Sequence, residues 1–144
     1  MRQIKFRAWH FKVGKMFSAE QMAADQLTLL TTGQFINVSG VHTRLSSIIP
    51  RDVMMPLEFT GLRDKNGQDI YEGDILDFGS YIGAISDGTR CLHKVVYEDN
   101  QGGFRTIELI SPEKGTFPMD HYCVVVGNIY ENPELLNLPV DATH

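Results

Sequence analysis

The sequence predicts a mostly β protein with minor α content: short N-terminal hairpins followed by a small antiparallel barrel. Three observations predict it. Apolar residues alternate over short runs, as in Gln3–Trp9 and Phe104–Ile110, and almost nowhere recur with a helical period. Glycine-bearing turns punctuate the chain, the strongest being Asp64-Lys65-Asn66-Gly67. Nothing alternates strand with a covering helix, as a parallel sheet requires. Barrel closure removes exposed strand edges, so Met54–Tyr130 reads as a closed antiparallel barrel.

Gln3–Trp9 is the first expected strand, with Ile4, Phe6 and Ala8 on one face and Lys5 and Arg7 on the other. Lys12-Val13-Gly14-Lys15 reverses the chain, and Met16-Phe17 pairs back. Ser18 is a helix cap with Gln21 at the capping-box position, opening a brief helix within Met22–Leu27. Leu27–Leu30 and Gln34–Val38 form a second hairpin across Thr31-Thr32-Gly33. From Ser39 to Asp52 the pattern loosens into an irregular connection.

Met54–Thr60 resumes as a strand, and Pro56 argues for an edge position or a start after it. Asn66-Gly67 supplies the positive φ angles of a tight hairpin. Ile70-Tyr71 follows, then the Gly73-Asp74 turn and Ile75–Phe78. Tyr81–Ile85 is an insertion or a strand. Cys91–Tyr97 and Phe104–Ile110 are strands separated by the polar loop Glu98–Gly103, and Ser111–Gly115 turns again. Tyr122–Val126 is apolar enough for a central strand. Pro133-Glu134-Leu135-Leu136 suits one helical turn with proline at its start. The expected organisation is an N-terminal subregion over 1–53, a barrel over 54–136 and a tail over 137–144, and 144 residues suit this scale.

The net charge of −5 disfavours bulk binding to nucleic acid or an anionic membrane. Its distribution is uneven. Residues 1–15 carry Arg2, Lys5, Arg7, Lys12 and Lys15 without an acid, while residues 16–144 carry 8 basic and 18 acidic groups. The N-terminus has no continuous apolar signal segment. Cys123–Val126, among the longest apolar stretches, falls far short of the roughly 18 residues of a membrane span. A cytoplasmic location with no membrane partner is expected. The two cysteines, Cys91 and Cys123, then read as free buried thiols.

The densest acidic run is Asp64, Asp69, Glu72, Asp74 and Asp77, but its spacing does not fit a calcium loop, which wants glycine sixth and glutamate twelfth. Cys91-x-His93 and His121-x-Cys123 each place a thiol and an imidazole on one strand face. Side by side, they would compose a tetrahedral zinc set, or Cys91 and His93 a nucleophilic dyad. Buried thiols and partly exposed histidines are the plainer reading. No phosphate loop, dinucleotide fingerprint or nucleophile elbow occurs, so no catalytic residue, metal or cofactor is assigned. The aromatic residues fall about once per strand, as core packing requires.

Three ordered segments resemble the YopX family of phage and prophage proteins. They are Ile4-Lys5-Phe6-Arg7-Ala8-Trp9 with Lys15-Met16, the long run Phe59–Leu76 through Gly61-Leu62-Arg63-Asp64-Lys65-Asn66-Gly67, and Val126–Leu136. The resemblance spans residues 2–136 and is weakest over 18–55 and 79–120. It implies a mostly β fold with a small barrel related to the SH3-like type, and oligomeric assembly. The family's biochemical role is uncharacterised and it has no agreed catalytic residues, so none is carried onto this chain.

Read physically, Asn66-Gly67 and Gly73-Asp74 are structural turns within that signature. The candidate interaction surface comprises Arg2, Lys5, Arg7, Trp9, Lys12 and Lys15, with Arg63, Lys65, Tyr71 and Glu72 from the signature. The expected function is that of a noncatalytic phage or prophage accessory protein that self-associates or binds another protein. The alternatives are a DNA- or RNA-binding accessory factor using the basic N-terminal strand, and a zinc protein or enzyme built on Cys91, His93, His121 and Cys123.

Overall fold

In the computed structural model the described residues are 3–38, 48–79 and 91–137. They form twelve short strands, one α-helix and several 3-10 turns, the mostly β composition with minor α that alternation predicts. The chain divides into two units, Met1–Phe59 and Thr60–His144.

In the first unit, β1 (Phe6–His10) pairs antiparallel with β2 (Lys15–Phe17) and, on its other side, with the opening half of β6 (Met54–Arg63). The helix α1 (Ala19–Ala24) starts where Ser18 Oγ accepts the Gln21 N–H at 3.1 Å. It ends as Gln26 turns into the left-handed region at φ 57°. Next come β3 (Leu27–Leu29), β4 (Phe35–Asn37) and β5 (Ile48–Ile49), a three-stranded sheet in chain order. Ala8, Met22, Phe35 and Met54 form the core, flanked by Phe17, Leu27, Leu29, Ile49 and Val53.

Three expectations change here. Ile48-Ile49 is a strand rather than irregular chain, because pairing with Phe35 and Ile36 carries Ile49 against the core. Ile4 precedes the first strand and is 67% exposed, so it does not share the buried face of Ala8. Pro56 sits inside a ten-residue strand. Lys5 O accepts from Phe59 N, and Val53 O from Phe11 N. In that register Ala8↔Pro56 is a non-hydrogen-bonded pair. The N–H that proline lacks would have pointed away from β1, so the ladder loses nothing.

The second unit holds the closing half of β6, then β7 (Asp69–Tyr71), β8 (Asp74–Asp77), β9 (Leu92–Glu98), β10 (Gly103–Glu108), β11 (Thr116–Pro118) and β12 (Val124–Asn128). Five of these make an antiparallel sheet ordered β11-β10-β9-β8-β12. Its core is Ile70, Leu76, Phe78, Val95 and Cys123, with Cys91, Phe104, Met119 and Val125 packed against it. Pro133–Asn137 is the expected helical turn.

The closed SH3-like barrel is corrected. Among the described residues the five-stranded sheet is open, and the sheet through β6 has the open order β2-β1-β6-β7. The apolar strand near Tyr122–Val126 is an edge strand rather than a central one. It tolerates that place because Val125 N donates to Asp64 Oδ2 while Cys123 O accepts from Lys65 N, so a turn covers the edge. Strand β11 had no sequence signal strong enough to separate it from a turn. The segment Tyr81–Ile85 and most of the expected irregular connection lie outside the described residues.

Candidate functional site

The β6–β7 turn is built on one carboxylate. Gly67 N donates to Asp64 O at 3.0 Å, closing the reversal. Asp64 Oδ1 accepts the N–H groups of Asn66 and Gln68, both at 2.9 Å, and Oδ2 accepts Val125 N at 2.9 Å. Gly67 takes φ +82°, but Asn66 keeps negative φ, unlike the two-residue Asn-Gly hairpin expected from sequence. The reason is Asp64: drawing two amides onto one oxygen selects the geometry of a type I turn closed by a left-handed glycine. Burial opposes charge on this side chain, yet the Val125, Gln68 and Asn66 amides and the nearby Lys65 charge outweigh it. The carboxyl is held below its ordinary 3.8.

A second knot lies at the Gly73-Asp74 turn. Asp74 Oδ2 accepts Tyr71 N at 2.7 Å, Gly73 N donates to Val95 O, and Gly73 O accepts Ile129 N. Asp74 pairs in register with Asn128, and both are buried. Asn128 Oδ1 accepts the N–H groups of Tyr130 and Glu131, while its Nδ2 donates to Glu131 Oε1. Asn132 Oδ1 accepts Asn128 N in return. Two segments far apart in sequence, 61–76 and 123–132, thus form one polar assembly whose carboxylate and amide oxygens accept backbone N–H groups.

The candidate surface residues of this unit are spread about that assembly. Arg63 Nε pairs with Asp69 Oδ1 at 2.8 Å and is exposed. Lys65 is exposed, Glu72 half-buried and Tyr71 buried at 9% exposure. In the first unit Lys12 and Lys15 are exposed, whereas Lys5, Arg7 and Trp9 are half-buried. Lys5 Nζ stands 4.8 Å over the Phe59 ring. Arg2 lies outside the described residues. The solvent-facing part of the first hairpin is therefore its tip, where Phe11 and Val13 are 45% and 53% exposed beside the lysines.

The zinc set does not assemble. Among the described residues no group of three or more His, Cys, Asp and Glu side chains is placed to hold a metal. His121 lies exposed, 3.9 Å from Asp120 and against the Tyr122 ring. Cys123 is buried with its Sγ against Asp120 O, and both cysteines are free thiols. Burial, with the Asp64 and Asp120 charges, pushes the Cys123 thiol up to about 11.

Cys91 and His93 do meet. Cys91 Sγ lies 3.5 Å from His93 Nε2, and His93 Nδ1 lies 3.0 Å from Thr106 Oγ1. Phe78 and Phe117 set ring edges against the imidazole. Burial raises the thiol, helped by Glu108 and Asp77, and burial lowers the imidazole. Both directions favour a neutral thiol beside a neutral imidazole, the opposite of an activated thiolate–imidazolium pair. Thr106 was not legible beforehand, because only the β9–β10 register brings it to His93.

These shifts set a pH dependence. His93 in the fold protonates below its ordinary 6.5, so its contribution to stability is complete above 6.5 and erodes as pH falls toward the folded value. Asp64 contributes fully above 3.8 and loses its contribution as pH drops through the lowered value. Urea midpoints measured against pH should fall in two stages, and His93→Gln should flatten only the upper one. A midpoint that stays level from pH 7 to 5 in the wild-type chain counts against the buried neutral imidazole.

No helix among the described residues is long and apolar enough to cross a membrane. The family model described as YopX protein matches residues 5–137. In fold, the chain is similar to the crystal structure of protein EF1440 from Enterococcus faecalis. The TM-score is 0.59 at 24% identity, covering 95% of this chain and 100% of that one. No curated protein matches the sequence.

Proposed function

The chain belongs to the YopX family, and from that premise we propose that it is a noncatalytic phage or prophage accessory protein that acts by binding protein, first of all another copy of itself, in the host cytoplasm. The observation that carries this reading is the tip of the first hairpin. Val13, 53% exposed, and Phe11, 45% exposed, lie beside the exposed Lys12 and Lys15. Apolar side chains offered beside positive charge suit a protein surface of opposite charge, and the rest of the chain is acidic. The signature supports the same reading, since Asp64 and Asp74 are committed to backbone amides and act as scaffold.

Light scattering after size exclusion should show an oligomer at micromolar concentration. Val13→Ser with Lys12→Glu should shift it toward monomer without lowering the melting temperature, because both side chains are exposed. A wild-type monomer throughout that range removes self-association. The nucleic-acid alternative rests on Lys12 and Lys15 as exposed cations, and it requires salt-sensitive retention on DNA or RNA. Retention that survives Lys12→Glu with Lys15→Glu would rule out this hairpin as the contact.

A further inference from the structure

Asn66 and Gly67 stand exposed at the crown of the β6–β7 turn. Asparagine is thermolabile, and glycine after it leaves the next main-chain nitrogen sterically open to attack the asparagine side chain. In this turn that nitrogen is engaged. Gly67 N–H donates to Asp64 O at 3.0 Å. The peptides on either side are pinned as well, since Asn66 N and Gln68 N share Asp64 Oδ1. The pin is anchored outside the loop, because the other carboxylate oxygen holds Val125 N in β12.

We propose that Asn66 is a self-modification site, a deamidating asparagine whose reaction is held down by the Asp64 lock. In the reaction Gly67 N gives up its proton and bonds to Asn66 Cγ. The Cγ–Nδ2 bond breaks, and ammonia leaves with that proton. Water then opens the resulting imide. Opening at Cγ leaves aspartate at position 66; opening at the main-chain carbonyl leaves isoaspartate, with the backbone one methylene longer. No oxidant or further partner is needed.

Each feature of the lock opposes the first step. The attacking nitrogen must release its hydrogen bond, and the backbone must swing Asn66 Cγ toward it while two neighbouring amides stay on one oxygen. Either product adds a negative charge beside Asp64. Isoaspartate also lengthens the crown, which loosens the tether on β12. The turn at the centre of the signature is thus also where the molecule ages.

The test incubates the full chain at mildly alkaline pH and follows aspartate and isoaspartate at position 66 by peptide mapping. Three samples are compared: folded wild type, wild type unfolded in urea, and Asp64→Asn checked for a native circular dichroism spectrum. Folded wild type should react more slowly than the unfolded chain by on the order of tenfold, one hydrogen bond's worth. Asp64→Asn should lose several-fold of that protection and react correspondingly faster than the folded wild type. Equal rates in the folded and unfolded wild-type chain overturn the proposal regardless of how the variant folds. A folded Asp64→Asn that reacts as slowly as wild type overturns the role given to Asp64.

Discussion

Asp64→Ala should destabilise the protein by about 3 kcal/mol, the largest effect expected of any polar substitution in it. The side chain is 5% exposed and accepts three backbone N–H groups. Those of Asn66 and Gln68 lie in an exposed turn, where water replaces part of what is lost. The Val125 N–H is different. It belongs to β12, whose other side is already paired with β8, and its carboxylate acceptor comes from 61 residues away. Hydrogen bonds to a charged partner contribute about 1.5–3 kcal/mol, and a buried donor left without one costs about 1–3 kcal/mol. A loss of this size lowers the melting temperature by roughly 10 °C or more in a domain of this scale. Asp64→Asn keeps one acceptor oxygen without the charge and should cost about half as much. Asp64→Ala should also erase the lower acid stage, which His93→Gln leaves in place. A change under about 1 kcal/mol would mean that the tether is ornamental.

The signature was legible as a folding device, and its logic was local. Asn-Gly and Gly-Asp announce turns because their backbone preferences do not depend on distant residues. What could not be read was the partner of each turn. Asp64 looked like one carboxylate in an acidic run, and nothing in its neighbours says that its second oxygen reaches Val125. Asn128 and Asn132 went unassigned for the same reason, although the spacing of Asn128 from Tyr130 and Glu131, and of Asn132 from Asn128, is that of side chains bonding nearby amides. The open sheet order has a related cause. Alternation identifies strands and faces, whereas closure depends on whether the last strand finds the first, which no period in the sequence records. Valine-rich β12 looked central because apolar runs usually are. It lies at an edge because the Asp64–Lys65 turn does the covering that a neighbouring strand would do.

Gly73→Ala should be the second large loss, about 2–3 kcal/mol, and the turn's geometry separates its two sources. Gly73 has φ +87°, where an L side chain costs roughly 1–2 kcal/mol. A Cβ there would stand 3.3 Å from Tyr130 Cε2 and 3.7 Å from Ile129 Cγ1, closer than the ring accepts without shifting. The backbone has little freedom to move away. Gly73 N is held by Val95 O in β9 and Gly73 O by Ile129 N just after β12, so a displacement strains both strands at once. Gly102 supplies the comparison. Its φ is +63°, and an added Cβ meets nothing within 4 Å. Gly102→Ala should therefore carry the conformational cost alone, about 1 kcal/mol. The difference between the two variants in urea unfolding measures what the packing of the Gly73 turn against Ile129 and Tyr130 adds. Equal losses would show that the second turn is held by backbone preference only. A larger loss at Gly73 makes the contact between the central and closing segments of the family signature a stabilising one, as the assembly of Asp64, Asp74 and Asn128 requires.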